Sequence, residues 1–298
     1  MMALEYYMFA DACEKAARFT RPLIISTRQM DGKVRASCGT FIVLNRDGWI
    51  ITAGHMFDTF VKFQGDQNKI KEVNELNTSR RSGPPSNMIR TDPEWLTNHS
   101  FWWAWDGVRL VEAFVDRQID ICVGRLEPFD PKWVGEYPVF RDPNTLRPGT
   151  SVCRLGFPFA QIESEFDETT KAFRIKKGVL PLPLFPNDGI HTRNVVKGKS
   201  KEGNYELLYV ETSSAGLKGQ SGGPIFDREG KIYALQVQTA HMPLGFQPTV
   251  EYEGKRVVEN QFINVGLGLH VKTIETILRD RNVKFQLDGE SSGYRIIN

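Results

Sequence analysis

An all-β fold is what this sequence predicts, with one helix leading into it and another closing it. Short runs rich in β-branched and aromatic residues recur along the chain, divided by turn signals such as Asp31-Gly32 and Asp47-Gly48. Helical periodicity between those runs is scarce, which favours a barrel or sandwich over alternating strands and helices. The composition agrees: 40% hydrophobic and 25% charged residues are ordinary for a folded domain and exclude a disordered chain or a coiled coil.

The opening segment, Ala3 to Phe19, places Leu4, Tyr7, Met8, Ala12, Ala16 and Phe19 at helical spacing. Pro22 marks the boundary to the β-rich part. Strands are expected at Leu23–Thr27, Val34–Leu44, Trp49–Thr52, Val108–Val115, Ile119–Arg125, Ser151–Gly156, Tyr205–Glu211, Ile225–Phe226, Lys231–Thr239 and Phe262–Leu269. Val271 to Leu278 reads as an amphipathic terminal helix. Two polar stretches break the rhythm: Lys62–Asn98, with Arg80-Arg81 and Gly83-Pro84-Pro85, and Ser164–Gly198, with Pro181, Pro183, Pro186 and Gly189. Both are expected to be long surface insertions.

A length of 298 residues suggests about two units of roughly 150 residues. The formal charge of +2 points to neither nucleic acid nor a membrane surface as an obligatory partner. No run approaches the ~20 apolar residues that span a bilayer, and the N-terminus lacks the layout of a signal peptide. A cytoplasmic location is therefore expected. Cys13, Cys38, Cys122 and Cys153 have no CxxC spacing and read as buried free thiols. His99, His191 and His270 have no metal-ligand spacing and read as structural. The Phe101–Trp105 cluster reads as core or barrel-edge packing.

Three fragments carry chemistry. Gly219-Gln220-Ser221-Gly222-Gly223-Pro224 combines a serine with glycines that permit a tight turn and let backbone N–H groups face a developing oxyanion. A serine hydroxyl needs a base before it attacks a carbonyl. Asp47–His55 is a turn, a strand and then a histidine. Arg117–Val123 places Asp120 inside an otherwise apolar strand, where an acid is costly unless paired; an imidazolium is the obvious partner. GxSxG alone also fits an α/β-hydrolase esterase, but that fold orders its triad Ser, Asp, His and needs alternating helices.

Taken together, these motifs resemble the trypsin-like (chymotrypsin-fold) serine proteases, with the HtrA-like branch nearest. Similar segments extend over about residues 20 to 280, including Trp103–Val115, Gly149–Pro158, Glu211–Ser214 and Val265–Leu278. The resemblance implies two six-stranded antiparallel β-barrels, about 21–140 and 141–270, between an N-terminal helical segment (1–20) and a terminal helix (271–280), with a tail at 281–298. It implies Ser221 as nucleophile, His55 as general base and then acid, and Asp120 as the group that orients the imidazole. Gly219 and Ser221 would supply the oxyanion-hole amides. No cofactor or metal is implied, the partner is a protein or peptide substrate, and the oligomeric state is left open.

His55 and Asp120 stand 65 positions apart and Asp120 and Ser221 stand 101 apart, more than compact relatives use. The two insertions absorb the excess and would border the cleft. Gln220 replaces the aspartate that digestive members carry before the serine, so activation by N-terminal cleavage is not expected. Regulation by ordering of the active-site loops or by a partner is the alternative. The tail leaves no room for a PDZ module within this chain. Ala215 stands six residues before the serine, where trypsin itself has an acid. Ala215, Leu217, Val237, Gln238 and Thr239 would then line a small or medium apolar pocket, with His241 read as a surface residue. A protease fold kept as a silent binding scaffold is the non-enzymatic alternative.

Overall fold

Alternating apolar residues and two turn glycines set up the first sheet. Gly32 and Gly48 have φ of +87° and +79°, conformations that glycine adopts without a Cβ penalty. They close the turns that follow β1 (Thr20–Gln29) and precede β3 (Trp49–Thr52), with β2 (Val34–Val43) between. The computed structural model describes residues 8–79, 88–258, 261–289 and 295–297. Helix α1 (Ala10–Phe19) leads in, and β4 (Leu96–Trp103), β5 (Arg109–Asp116) and β6 (Ile121–Glu127) complete the first sheet. Its order is β4-β1-β2-β3-β6-β5, all antiparallel and curled into a half-barrel.

The second half contains β7 (Val139–Phe140), β8 (Ser151–Gly156), the hairpin β9 (Ser164–Asp167) and β10 (Ala172–Ile175), β11 (Phe185–Lys199), β12 (Glu206–Thr212), β13 (Pro224–Phe226) and β14 (Ile232–Pro243). A second hairpin, β15 (Thr249–Tyr252) and β16 (Lys255–Val258), precedes β17 (Phe262–His270). Because β13 pairs with both β8 and β14, the six strands β13-β8-β11-β12-β17-β14 form a closed ring. The all-β, two-barrel prediction therefore holds.

Several expectations need correction. Within 62–98, residues 62–79 belong to helix α2 (Asp58–Ser79), and β4 begins at Leu96. The helix has no clean apolar stripe; it is supported by ion pairs of Asp66 with Lys62 and Lys69 and of Lys71 with Glu75, spacings that place side chains together on a helix. Arg80-Arg81 and Gly83-Pro84-Pro85 lie outside the described residues. In Ser164–Gly198 only the β9–β10 hairpin and the segment to Leu184 stand apart from the barrel, because β11 is a barrel strand. The tail 281–298 is partly structured: β18 (Phe285–Leu287) pairs in parallel with β7, and β19 (Arg295–Ile297) pairs with β18.

One buried cluster joins the halves. Phe41, Ile50, Ile51 and Ile121 of the first sheet share it with Cys153, Leu155, Phe226 and Leu235 of the second, and Ala12, Ala16 and Phe19 of α1 complete it. A separate cluster, with Val152, Val210, Ile225 and Ala234, fills the closed barrel. All four cysteines are free thiols; burial pushes Cys38 and Cys122 up to about 12. No described helix is long and apolar enough to cross a membrane.

Helix α3 (Val271–Asp280) starts at His270, whose Nδ1 accepts the Lys272 amide at 3.1 Å. Burial, with the His191 and Lys272 charges, pushes the His270 pKa down to about 4. The unfolded chain then takes up this proton first as pH falls. The resulting stability is complete above pH 6.5 and is lost as pH falls towards 4. Urea titrations should show wild type losing up to about 3 kcal/mol more across that window than His270→Asn, which keeps a capping acceptor.

Candidate active site

Histidine 55 enters the site directly from β3. The chain leaves Thr52, passes Ala53 and Gly54, and turns into a short 3-10 segment at Gly54–Phe57. Gly54 is required by close approach: a Cβ there would lie 3.0 Å from Asp116 O and from the Ile121 N and O atoms. That contact presses the histidine turn onto the turn carrying Asp120. Asp120 is not inside a strand, as the apolar run suggested. It ends the 117–120 turn with φ of +63°, one residue before β6. The turn is shaped by Asp116, whose Oδ1 accepts the amides of Gln118 and Ile119.

The Asp120 carboxylate holds His55 by both its ring and its backbone. Oδ2 lies 2.8 Å from His55 Nδ1, and Oδ1 accepts the His55 backbone N–H at 2.7 Å. A carboxylate accepts, so Nδ1 carries the ring proton and Nε2 is left with its lone pair. Arg117, which the sequence reading did not single out, donates from Nη1 to Asp120 Oδ1 at 2.9 Å. Its other face grips Asp58, the first residue of α2, with two bonds of 2.7 Å. The insertion helix is thus tied to the His–Asp pair. Arg117→Gln is expected to lower kcat by about 10-fold, the scale of one charge-assisted hydrogen bond, with KM nearly unchanged; steady-state kinetics on a peptide substrate measures this split.

Ser221 reaches the same place from the closed barrel. The Thr40 amide of β2 donates to Ser221 O at 2.9 Å, and Thr40 Oγ1 donates to Gly219 O at 2.7 Å. Gly222, with φ of +84°, packs so closely that a Cβ would overlap Thr40 O and Thr52 Oγ1 and would lie 2.9 Å from Ala53 N. The serine loop is therefore seated on β2–β3, two residues from His55. No hydrogen bond joins the Ser221 hydroxyl to His55 among the described residues; such bonds are often long in unliganded sites and tighten around substrate.

The loop itself is rigidly held. Gln220 is fully buried; its Oε1 accepts the Leu217 amide at 3.0 Å and its Nε2 donates to Phe185 O at 3.2 Å. Gly219 has φ of +101°. Its amide and that of Ser221 have no backbone acceptor among the described residues, as donors aimed at a ligand oxygen require.

The other predicted pocket residues separate into two groups. Ala215 and Leu217 lie on the serine loop, and Ala215 O accepts from Asn187 Nδ2 at 2.7 Å. Thr239 stands against the loop and donates to Gly216 O at 2.6 Å. Val237 instead packs in the main core, and Gln238 is exposed, accepting from Lys197 at 3.2 Å. His241 is exposed beside Asn264, consistent with a surface residue. His99 packs on Phe63, and His191 lies 3.2 Å from Glu211 O. No group of metal-ligating side chains occurs among the described residues.

An antiparallel double barrel whose junction gathers His, Asp and a Gly-flanked Ser defines the chymotrypsin-like class. Among the described residues the strand pairings are antiparallel except those of β7 with β14 and β18, unlike the α/β sheet of an esterase. A family model for the trypsin-like peptidase domain matches residues 39–235, more than half of the chain, and the chain belongs to that family. No curated protein sequence matched. Among solved structures, the chain is similar to the HtrA-type protease AlgW with a tripeptide (13% identity, 91% of this chain and 62% of that one, TM-score 0.48). It is also similar to the active form of the Rv3671c protease from M. tuberculosis (12% identity, 89% of this chain and 82% of that one, TM-score 0.47). The chain thus spans less than two thirds of the AlgW chain's length.

Proposed function

We propose that this protein is a serine endopeptidase that acts through an acyl-enzyme on Ser221. The observation that carries the reading is the His55–Asp120 pair, with Nδ1 held by the carboxylate, beside a serine loop anchored on the neighbouring strands. In the reaction, Ser221 Oγ attacks the peptide carbonyl carbon while His55 Nε2 takes its proton. The resulting oxyanion is held by the Gly219 and Ser221 amides. His55 then protonates the leaving amine as the C–N bond breaks. Water, deprotonated by the same nitrogen, attacks the acyl carbon; the bond from that carbon to Ser221 Oγ breaks, His55 Nε2 returns the proton to Oγ, and the acyl group leaves as a carboxylic acid. Asp120 stays ionised and stabilises the imidazolium.

The supporting experiment is hydrolysis of a mixed peptide library by the full chain, with new termini read by mass spectrometry. Cleavage that is lost in His55→Ala supports the reading. A chain that binds peptides but cleaves none, with or without His55, would make it a binding scaffold instead.

A further inference from the structure

Cys13 of α1 and Cys153 of β8 stand 140 positions apart in the chain, yet their Sγ atoms lie 3.9 Å apart. The packing of α1 brings them together: Ala12 and Ala16, small and buried, let the helix settle closely on the main core. Cys153 is 1% exposed. Cys13 is only half-buried, not enclosed as its sequence context suggested, so one member of the pair meets solvent.

The two thiols are unequal. A hydrogen bond from the Cys153 thiol pulls the Cys13 pKa down, against the effect of its partial burial. The same contact, together with burial, pushes Cys153 up. Cys38 and Cys122 are pushed up to about 12 by burial. Of the four thiols, Cys13 alone is shifted towards the thiolate, the form that attacks an oxidant. A solvent-accessible thiol of lowered pKa with a second thiol in contact is the arrangement that oxidation converts to a disulfide.

The bond is within reach. A disulfide holds its sulfurs about 2.05 Å apart, so the pair must close by about 2 Å. Cys13 lies in the first turn of α1, where Phe9 provides no side-chain cap and little restrains a small shift. Its consequence follows from the connectivity. Helix α1 runs directly into β1 of the first sheet. Cys153 pairs with Asp188 of β11 and Phe226 of β13 in the closed barrel. A bond between the two sulfurs ties together the halves whose junction holds His55, Asp120 and Ser221.

We propose that Cys13 and Cys153 form a hydroperoxide-reactive dithiol site that closes to an intramolecular disulfide and clamps α1 onto the second barrel. In the first step the Cys13 thiolate attacks one peroxide oxygen. The S–O bond forms, the O–O bond breaks, and the departing oxygen takes up a proton to leave as water or an alcohol. In the second step Cys153 Sγ attacks the sulfenic sulfur. The S–S bond forms, the S–O bond breaks, and hydroxide leaves with the Cys153 proton as water. The thiol pair gives up two electrons and the peroxide accepts them. An external dithiol reverses the bond by exchange. The proposal stands apart from the peptidase reading, because neither cysteine belongs to the catalytic machinery.

The test treats the reduced full chain, freed of reductant, with one equivalent of hydrogen peroxide and maps its thiols by non-reducing mass spectrometry. Titratable thiols should fall from four to two, the mass should fall by two hydrogens, and a Cys13–Cys153 cross-linked peptide should appear and vanish with dithiothreitol. The oxidised chain should melt at least about 5 °C above the reduced one, given the long loop that the bond closes. Before oxidation, iodoacetamide should modify Cys13 at least about 10-fold faster than Cys38 or Cys122. Cys13→Ala should lose no thiols to the same peroxide, and Cys153→Ala should accumulate a sulfenic acid on Cys13 that dimedone traps. Thiols that survive the peroxide, oxidation that starts at Cys38 or Cys122, a disulfide between chains, or an unchanged melting temperature would overturn the proposal. Should Cys153→Ala not fold, the wild type and Cys13→Ala, an alanine at a half-buried helical position, still decide it.

Discussion

Alanine at Ser221 is expected to lower kcat by about a million-fold, the loss seen when a serine nucleophile is removed from a triad. The fold should not change, because the loop is held by backbone atoms. Thr40 still donates to the carbonyl of residue 221, Thr40 Oγ1 still donates to Gly219 O, and Gln220 still bonds Leu217 and Phe185. Peptide binding should therefore persist while turnover vanishes. Matched thermal melts, with kcat reduced to the level of His55→Ala, would be the expected pair of results. A variant that keeps more than a small fraction of wild-type turnover would show that another group attacks the substrate.

Asp120→Asn is expected to lower kcat by about 10,000-fold near neutral pH, for a different reason. Asp120 Oδ1 already accepts from the His55 amide and from Arg117. In the variant these two donors would hold the amide oxygen, and the NH2 group would face His55 Nδ1. Two donors cannot share that bond, so Nδ1 would become the acceptor and Nε2 would carry the proton. The base would then be unable to take the proton of Ser221. A kcat profile against pH, with the loss largest near neutrality and KM little changed, is the measurement. A loss confined to KM would place Asp120 in binding and not in orienting the base.

Much of the site was legible because the motifs are local. The Asp47–His55 segment folds as the turn, strand and histidine that its sequence describes, and the glycines around Ser221 take the positive φ values that expose it. Asp120 was legible as a residue needing a partner but was misplaced within a strand, since the Asx turn at Asp116 depends on two amides that no apolar pattern reports. Helix α2 was hidden because its surface has no apolar stripe. Strand β11 was hidden by Pro186, Gly189 and many polar residues, being largely exposed. Arg117 was missed although a signal existed: it is a charge placed where an acid needs explaining.

The central claim is that Ser221 is an activated nucleophile, assembled with His55 by the meeting of two barrels. Labelling the full chain with a fluorophosphonate probe, followed by mass mapping of the modified peptide, tests it most directly. The account predicts one probe per chain, on Ser221, with labelling abolished in Ser221→Ala and strongly slowed in His55→Ala. Labelling at another residue, or at an equal rate without His55, would contradict it.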